Sequence, residues 1–497
     1  MKKKKVLSRV SQRLLWDTHY FLIMVFLLTS CAPSQPVAQI SLLSTATPQV
    51  TATPYVARPT YKPGELVEYT VQTGDTMPAL VSRFNTSLDE IYSANPIIPR
   101  DVTTLPPGMP MQIPIYYLPL WGTRFQIIPD AAFVNGPSAV SFETTGFVDA
   151  YPGWLKDYKG YAGGENRSGA EIVDYVSTNF SVSPRLLLTL LEYQAGALTN
   201  PEPPNTEFHL GYKDAVGHRG LYLQLIWAAN TLNNGYYGWR MGRLTEFEHN
   251  DGSIERPDPW QNAATVGLQY YLSRIMPKPA YDFAIGPVGL SDTYLQLFGD
   301  PWKGADELIP GLLQQPEFLL PIPRNSVWTY TGGPHTGWGE GAPFAAIDFA
   351  PPSTQSGCFI PTDEDFSTAV APGIVSRLDR GIVVLDLDMD NDERTGWSLL
   401  YLHIATDRRP ALGTILNAGD FVGYPSCEGG TSTGTHIHIA RKYNGEWIPA
   451  DSPIPFEMEG WVPHNGTKAY AGSLSRDGFI ITASSVSDAF SRVPAGD

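Results

Sequence analysis

The sequence predicts a multidomain chain in which a small β-α-α-β module, a mainly α-helical middle domain and an antiparallel all-β C-terminal domain follow one another. Three observations carry that expectation. A chain of 497 residues is too long for one hydrophobic core, so it divides. Its composition, 42% hydrophobic with 46 glycines and 44 prolines, supplies apolar cores while favouring loop-rich or strand-rich units over a long bundle. The spacing of apolar residues also changes along the chain, from alternation to helical periodicity and back. A formal net charge of −16 argues against a nucleic-acid partner and leaves neutral or mixed-charge substrates.

Residues 1–31 read as an export signal. Lys2 to Lys5, Arg9 and Arg13 precede the apolar run Tyr20 to Leu28, and then comes Leu28-Thr29-Ser30-Cys31. The run is short for a membrane span, and small residues before the cysteine resemble a lipobox, so Cys31 is the expected lipidation site and membrane anchor. A plain N-terminal membrane anchor is the alternative. Both place the rest outside the cytoplasm, where Cys358 and Cys427, the remaining cysteines, are expected to form a disulfide. Residues 32–65, rich in Ser, Thr and Pro, form a tether that cannot bury enough apolar surface to offset chain entropy.

In residues 66–116, Val67-Glu68-Tyr69-Thr70-Val71 alternates as a strand and Gly74-Asp75-Thr76 turns the chain. Thr76 is a plausible cap of a first helix with Pro78 in its first turn, and Ser87 with Glu90 forms a capping box before a second helix. Asn95-Pro96 ends that helix, and Met111 to Pro114 closes with a strand. The stretch closely resembles a LysM module, through Tyr-Thr-Val, Gly-Asp-Thr, Phe84-Asn85-Thr86-Ser87, Glu90-Ile91 and Ala94-Asn95. The resemblance implies binding of N-acetylglucosamine-containing glycans in a shallow groove lined by Gly74, Asp75, Thr76, Asn95, Pro96 and Ile97.

Residues 130–320 turn helical. Ser183-Pro184 opens an almost wholly apolar helix ending near Glu192, a carboxylate placed to act as an acid in glycoside cleavage. Gly220-Leu221-Tyr222-Leu223-Gln224 and the helix Asn262 to Ile275 follow. The order distantly resembles lysozyme-like lytic transglycosylases, with Glu192-Tyr193 standing where that family has Glu-Ser. Catalysis by Glu192 and a structural, glycan-holding role both stay open.

Residues 325–475 are dense in alternating strands, with residues 476–497 as a tail. In Thr435-His436-Ile437-His438-Ile439 a strand puts both imidazoles on one face, an arrangement that suits zinc. His403 ends the alternating Leu399 to Leu402, His335 follows a Gly-Gly-Pro turn, and Asp348 sits in the strand Ala346 to Ala350. Two His and one Asp would leave an open tetrahedral position, as in catalytic zinc sites. This third strongly resembles the lysostaphin-like and β-lytic zinc endopeptidases, through Gly332-Gly333-Pro334-His335, Ala346-Ile347-Asp348-Phe349, Leu402-His403 and His436-Ile437-His438. The resemblance implies a duplicated-hybrid-motif-like β fold, zinc held by His335, Asp348 and His438, and His403 and His436 flanking the water and the scissile carbonyl. It also offers Tyr470 as a holder of the oxyanion.

Asp386, Asp388, Asp390 and Asp392 alternate before Trp397, but no Gly stands at a sixth place and Leu399 replaces an EF-hand Glu, which predicts a solvated hairpin loop without calcium. Taken together, the expectation is an extracytoplasmic lipoprotein that binds peptidoglycan and cuts its peptide cross-bridges with zinc. The alternatives are an enzyme that also cleaves glycan through Glu192, and a non-enzymatic wall-binding activator.

Overall fold

The computed structural model describes residues 58–213, 217–305, 307–353, 355–361 and 364–496. The export signal, Cys31 and the tether up to residue 57 lie outside the described residues. No helix among the described residues is long and apolar enough to cross a membrane.

The first module is a two-stranded sheet with two helices. Glu65–Thr70 pairs antiparallel with Pro110–Ile115, and the alternation turns Val67, Tyr69, Met111 and Ile113 onto Leu80, Phe84 and Ile91. Helices Met77–Phe84 and Leu88–Ala94 lie between the strands in sequence. The Ser87–Glu90 capping box makes both of its reciprocal bonds, whereas Thr76 occupies the first helix's cap position without a side-chain bond.

Four longer helices, Gly169–Phe180, Pro184–Ala195, Leu221–Arg240 and Ala263–Ser273, build the middle domain. Leu186 to Leu191 are all buried, so the apolar helix is central to its core. The last two helices approach closely because Gly235 and Gly267 face each other: a Cβ on Gly235 would come within 2.9 Å of the Gly267 Cα. Gly220 caps the long helix, and buried Gln224 binds the carbonyls of Tyr212 and His218 and the amide of Leu210, pinning the loop before it.

The C-terminal domain is an antiparallel sheet, nine-stranded among the described residues. Its order runs Ile415–Leu416, Gly373–Asp379, Ile382–Asp386, Trp397–Leu402, Ile437–Tyr443, Ala346–Ala350, Val327–His335 and Arg492–Pro494, with Glu446–Trp447 beside Ile437–Tyr443. Residues 476–496 are therefore no tail. Arg492–Pro494 adds an edge strand to Val327–His335 with Val493 fully buried, and Phe479–Thr482 pairs with Gly472–Arg476.

One buried side chain joins all three modules. Arg240, in the last turn of its helix, donates to both carboxylate oxygens of Glu446 on the sheet (2.9 and 3.1 Å), to the Tyr236 hydroxyl and to the Thr73 carbonyl of the first module, and lies 3.2 Å from Asp130. Nearby, Tyr237 accepts from the Trp447 amide and the Trp260 indole donates to the Glu68 carbonyl.

The acidic hairpin loop is not wholly solvated. Asp386 ends its strand at 0% exposure, and burial together with the neighbouring Asp388 and Asp390 pushes its carboxyl up to about 7.

Candidate metal centre

Three adjacent strands deliver the ligands. The sheet register sets His438 opposite Asp348 on one side and Leu402 on the other, and sets Asp348 opposite Gly332. Gly332 is needed there, because a Cβ would lie 2.3 Å from the Asp348 carboxylate. His335 ends the strand that carries Gly332, and the three buried side chains meet. His335 Nε2 and His438 Nδ1 are 2.9 Å apart, and they lie 3.2 and 3.4 Å from Asp348 Oδ1. Ligands bound to one tetrahedral zinc at about 2.0–2.1 Å stand about 3.3 Å from each other.

Hydrogen bonding fixes which nitrogens are free. His335 Nδ1 faces the Gly333 carbonyl at 2.8 Å and His438 Nε2 faces the Gly337 carbonyl at 3.1 Å. A carbonyl only accepts, so these nitrogens carry the hydrogens of the neutral rings, and both nitrogens that face Asp348 present lone pairs. Asp348 Oδ1 is buried and receives no donor. Two lone pairs and a carboxylate oxygen this close repel unless a cation lies among them, so the residues fit a metal. Burial disfavours the charged form of Asp348, and its carboxyl is held below the usual carboxylate range only by positive charge on the surrounding rings, a charge that a metal ion would supply where the rings are neutral. Burial also pushes His438 down, keeping it neutral.

His403 and His436 stand beside this cluster, ring centroids 4.5 Å apart. His403 lies one residue beyond its strand with φ +67°, in the left-handed region, rather than continuing the alternation. Its Nδ1 donates to the Glu428 carbonyl at 2.8 Å, and His436 Nδ1 donates to the Gly434 carbonyl at 2.8 Å. Both rings thus keep a lone pair on Nε2, and His436 Nε2 lies 3.9 Å from Asp348 Oδ2. Burial, with His436 and His438 adding to it, lowers His403 to about 4, so it is neutral at pH 7. Cys358 and Cys427 form a disulfide next to Glu428 and Ser426, and the Ser426 amide and hydroxyl both bind the His403 carbonyl.

Tyr470 stacks on His335 at 4.0 Å, half-exposed, while its backbone pairs with Gly333. The ordering carbonyls of Gly333, Gly337, Glu428 and Gly434 carry no signal in the sequence, since every residue has one.

The other sequence-expected positions stand elsewhere. Glu192 is half-buried, and its carboxylate is engaged by its own chain: it accepts from the Leu198 and Thr199 amides (2.7 and 3.2 Å) and the Thr199 hydroxyl, closing the turn after its helix. The expected glycan groove is also corrected. Asp75 is buried, taking the Tyr69 hydroxyl, the Gln72 amide and Arg83, and Asn95 is buried, tying Ile91 to Gln112. A Cβ on Gly74 would strike the Arg240 guanidinium, so the middle domain covers that turn. Thr76 is half-buried, and only Pro96 and Ile97 are exposed.

Comparison with known proteins finds two matching family descriptions: LysM domain over residues 69–114, and LasA, N-terminal domain, over residues 126–312. Protease LasA of Pseudomonas aeruginosa is 25% identical over 359 residues, 68% of this chain and 77% of that protein. The β-lytic metalloendopeptidase of Lysobacter enzymogenes is 30% identical over 146 residues, 28% of this chain and 72% of that protein. Among solved structures, the deep-sea metalloprotease pseudoalterin is 22% identical, covering 34% of this chain and 96% of its own, with a TM-score of 0.29.

Proposed function

The chain belongs to the β-lytic metalloendopeptidase family and is a zinc metallopeptidase, and from that premise we propose that it cuts peptide cross-bridges of bacterial peptidoglycan outside the cytoplasm. The observation that carries this reading is the convergence of His335 Nε2, His438 Nδ1 and Asp348 Oδ1, with the imidazoles of His403 and His436 alongside. Zinc, when bound by these three, supplies Lewis-acid polarisation of the scissile carbonyl and an acidified water. His403 and His436 do the proton work. A neutral Nε2 accepts the proton of the attacking water; the resulting imidazolium N–H then faces the reacting carbon and delivers that proton to the leaving amine as the C–N bond breaks. Tyr470 holds the His335 ring by stacking, and its hydroxyl is the remaining candidate for the oxyanion.

The N-terminal module supplies wall affinity through the exposed Pro96–Ile97 edge with Thr76, and lipidation at Cys31 would keep the enzyme at the membrane. A second, glycan-cleaving activity through Glu192 has the hydrogen bonds of that carboxylate against it. A non-enzymatic activator has the complete ligand set against it.

The test is digestion of purified peptidoglycan by the full-length protein, with and without a chelator. Chelator-sensitive release of new amino termini is expected. Absence of release from several wall types, with zinc bound, would overturn the assignment of substrate.

A further inference from the structure

We propose that the loop between strands Ile382–Asp386 and Trp397–Leu402 is a calcium site held by the carboxylates of Asp386, Asp388 and Asp390. Carboxylate oxygens of the three lie within 4.8 Å of one another. The decisive group is Asp386. It is fully buried, its Oδ2 accepts from the Asn391 amide at 2.9 Å, and its Oδ1 has no donor although two further carboxylates crowd the group. A buried acceptor left without a partner is costly, and an ionised one more so, unless a cation completes it.

The cations of the neighbourhood are committed elsewhere. Arg394 pairs with Asp392, while Arg377 and Lys442 both pair with Glu393. Asp388 and Asp390 receive only backbone amides and the Thr395 hydroxyl, each oxygen keeping lone pairs to spare. Among the described residues, three carboxyl groups therefore share one corner with no basic side chain bridging them. Their donor set is oxygen alone, which suits a hard cation, and a flexible loop of carboxylates suits calcium better than magnesium with its strict octahedron.

The sequence alone frames this loop on Asp388 and so finds no turn residue at the sixth place. The structure sets the frame two residues earlier. Counted from Asp386, the sixth residue is Asn391 with φ +69°, the left-handed conformation that an EF-hand loop assigns to glycine. Trp397 stands at the twelfth place, so water must fill the remaining coordination, and affinity belongs in the range of weak extracellular modules, about 0.1–1 mM. Occupancy would stiffen a junction, because the next residues, Glu393 and Arg394, join the sheet to Arg377 and to the carbonyls of Ala139 and Val140 in the middle domain.

The experiment uses zinc-loaded, calcium-free full-length protein. Melting temperature is followed during calcium and magnesium titrations, and terbium luminescence is excited through Trp397, whose carbonyl binds the Leu387 amide within the loop. Calcium should raise the melting temperature by about 2–4 °C at ten times its dissociation constant, exceed magnesium, and displace terbium. Asp388→Asn should weaken terbium and calcium at least tenfold, and the Asp388→Asn, Asp390→Asn double variant should abolish both signals while still binding zinc. Wild-type protein showing neither a calcium shift nor displaceable terbium emission would overturn the site. So would signals of full strength in a folded double variant.

Discussion

Asp348 and Glu192 are both carboxylates that the sequence singles out, one as a metal ligand and one as a glycosidic acid, and they differ in what surrounds their oxygens. Glu192 receives two amides and a hydroxyl from the turn directly after its own helix, so its charge stabilises a local chain reversal. Asp348 Oδ1 receives nothing from the protein, although it is buried and two imidazole nitrogens stand within 3.4 Å of it. The contrast separates a carboxylate that serves the fold from one prepared for something the chain does not contain.

The sharpest way to break that comparison is His438→Ala. It removes one of three ligands, and cross-bridge cleavage should fall at least about 10⁴-fold together with loss of zinc by elemental analysis. A variant that kept both would put the metal elsewhere. Next, His403→Ala and His436→Ala should each retain zinc yet lose about 10²–10⁴ in rate, which separates proton handling from metal binding. The pH dependence has a defined sign: His403 accepts a proton only when neutral, and its lowered value of about 4 against 6.5 predicts activity lost on the acid side well below free imidazole. The same depression makes the unfolded chain bind a proton that native His403 refuses, so stability also declines as pH falls from 6.5 toward about 4.

Arg240→Met tests the junction rather than the site. It strands the carboxylates of Glu446 and Asp130 without their partner, and about 3–5 kcal/mol of stability should be lost, visible in calorimetry as separate melting of the modules. The smallest effect belongs to Glu192→Gln. Muropeptide products should be unchanged and stability lower by about 1 kcal/mol, the value of a weakened hydrogen bond; loss of a glycan-strand product would reverse the contrast drawn above.

The centre was largely legible in sequence because its signal is local. His436 and His438 are two residues apart, so strand periodicity places them on one face, and Asp348 lies within an apolar strand where a carboxylate needs a reason. His403 was legible as a residue but not in conformation, since its positive φ is imposed by the turn back to Ser426. The glycan groove misled for a physical reason. Short polar residues such as Asp75 and Asn95 are equally suited to meeting a ligand and to satisfying their own turn, and only tertiary contacts decide which. Nor could Arg240 be paired with Glu446 across 206 positions, because nothing in either neighbourhood names the other. The strand Arg492–Pro494 was lost to a reading by composition: three residues are too few to show alternation.

Arg240 also bears on how a wall is surveyed. With Thr73, Asp130 and Glu446 gathered on one guanidinium, the N-terminal module and the metal centre are two ends of one ruler instead of two weights on a string. On the proposed function, the span from a held glycan to the bond presented for cleavage is then set by the protein, and which cross-links come within reach is decided by the repeat of the meshwork itself.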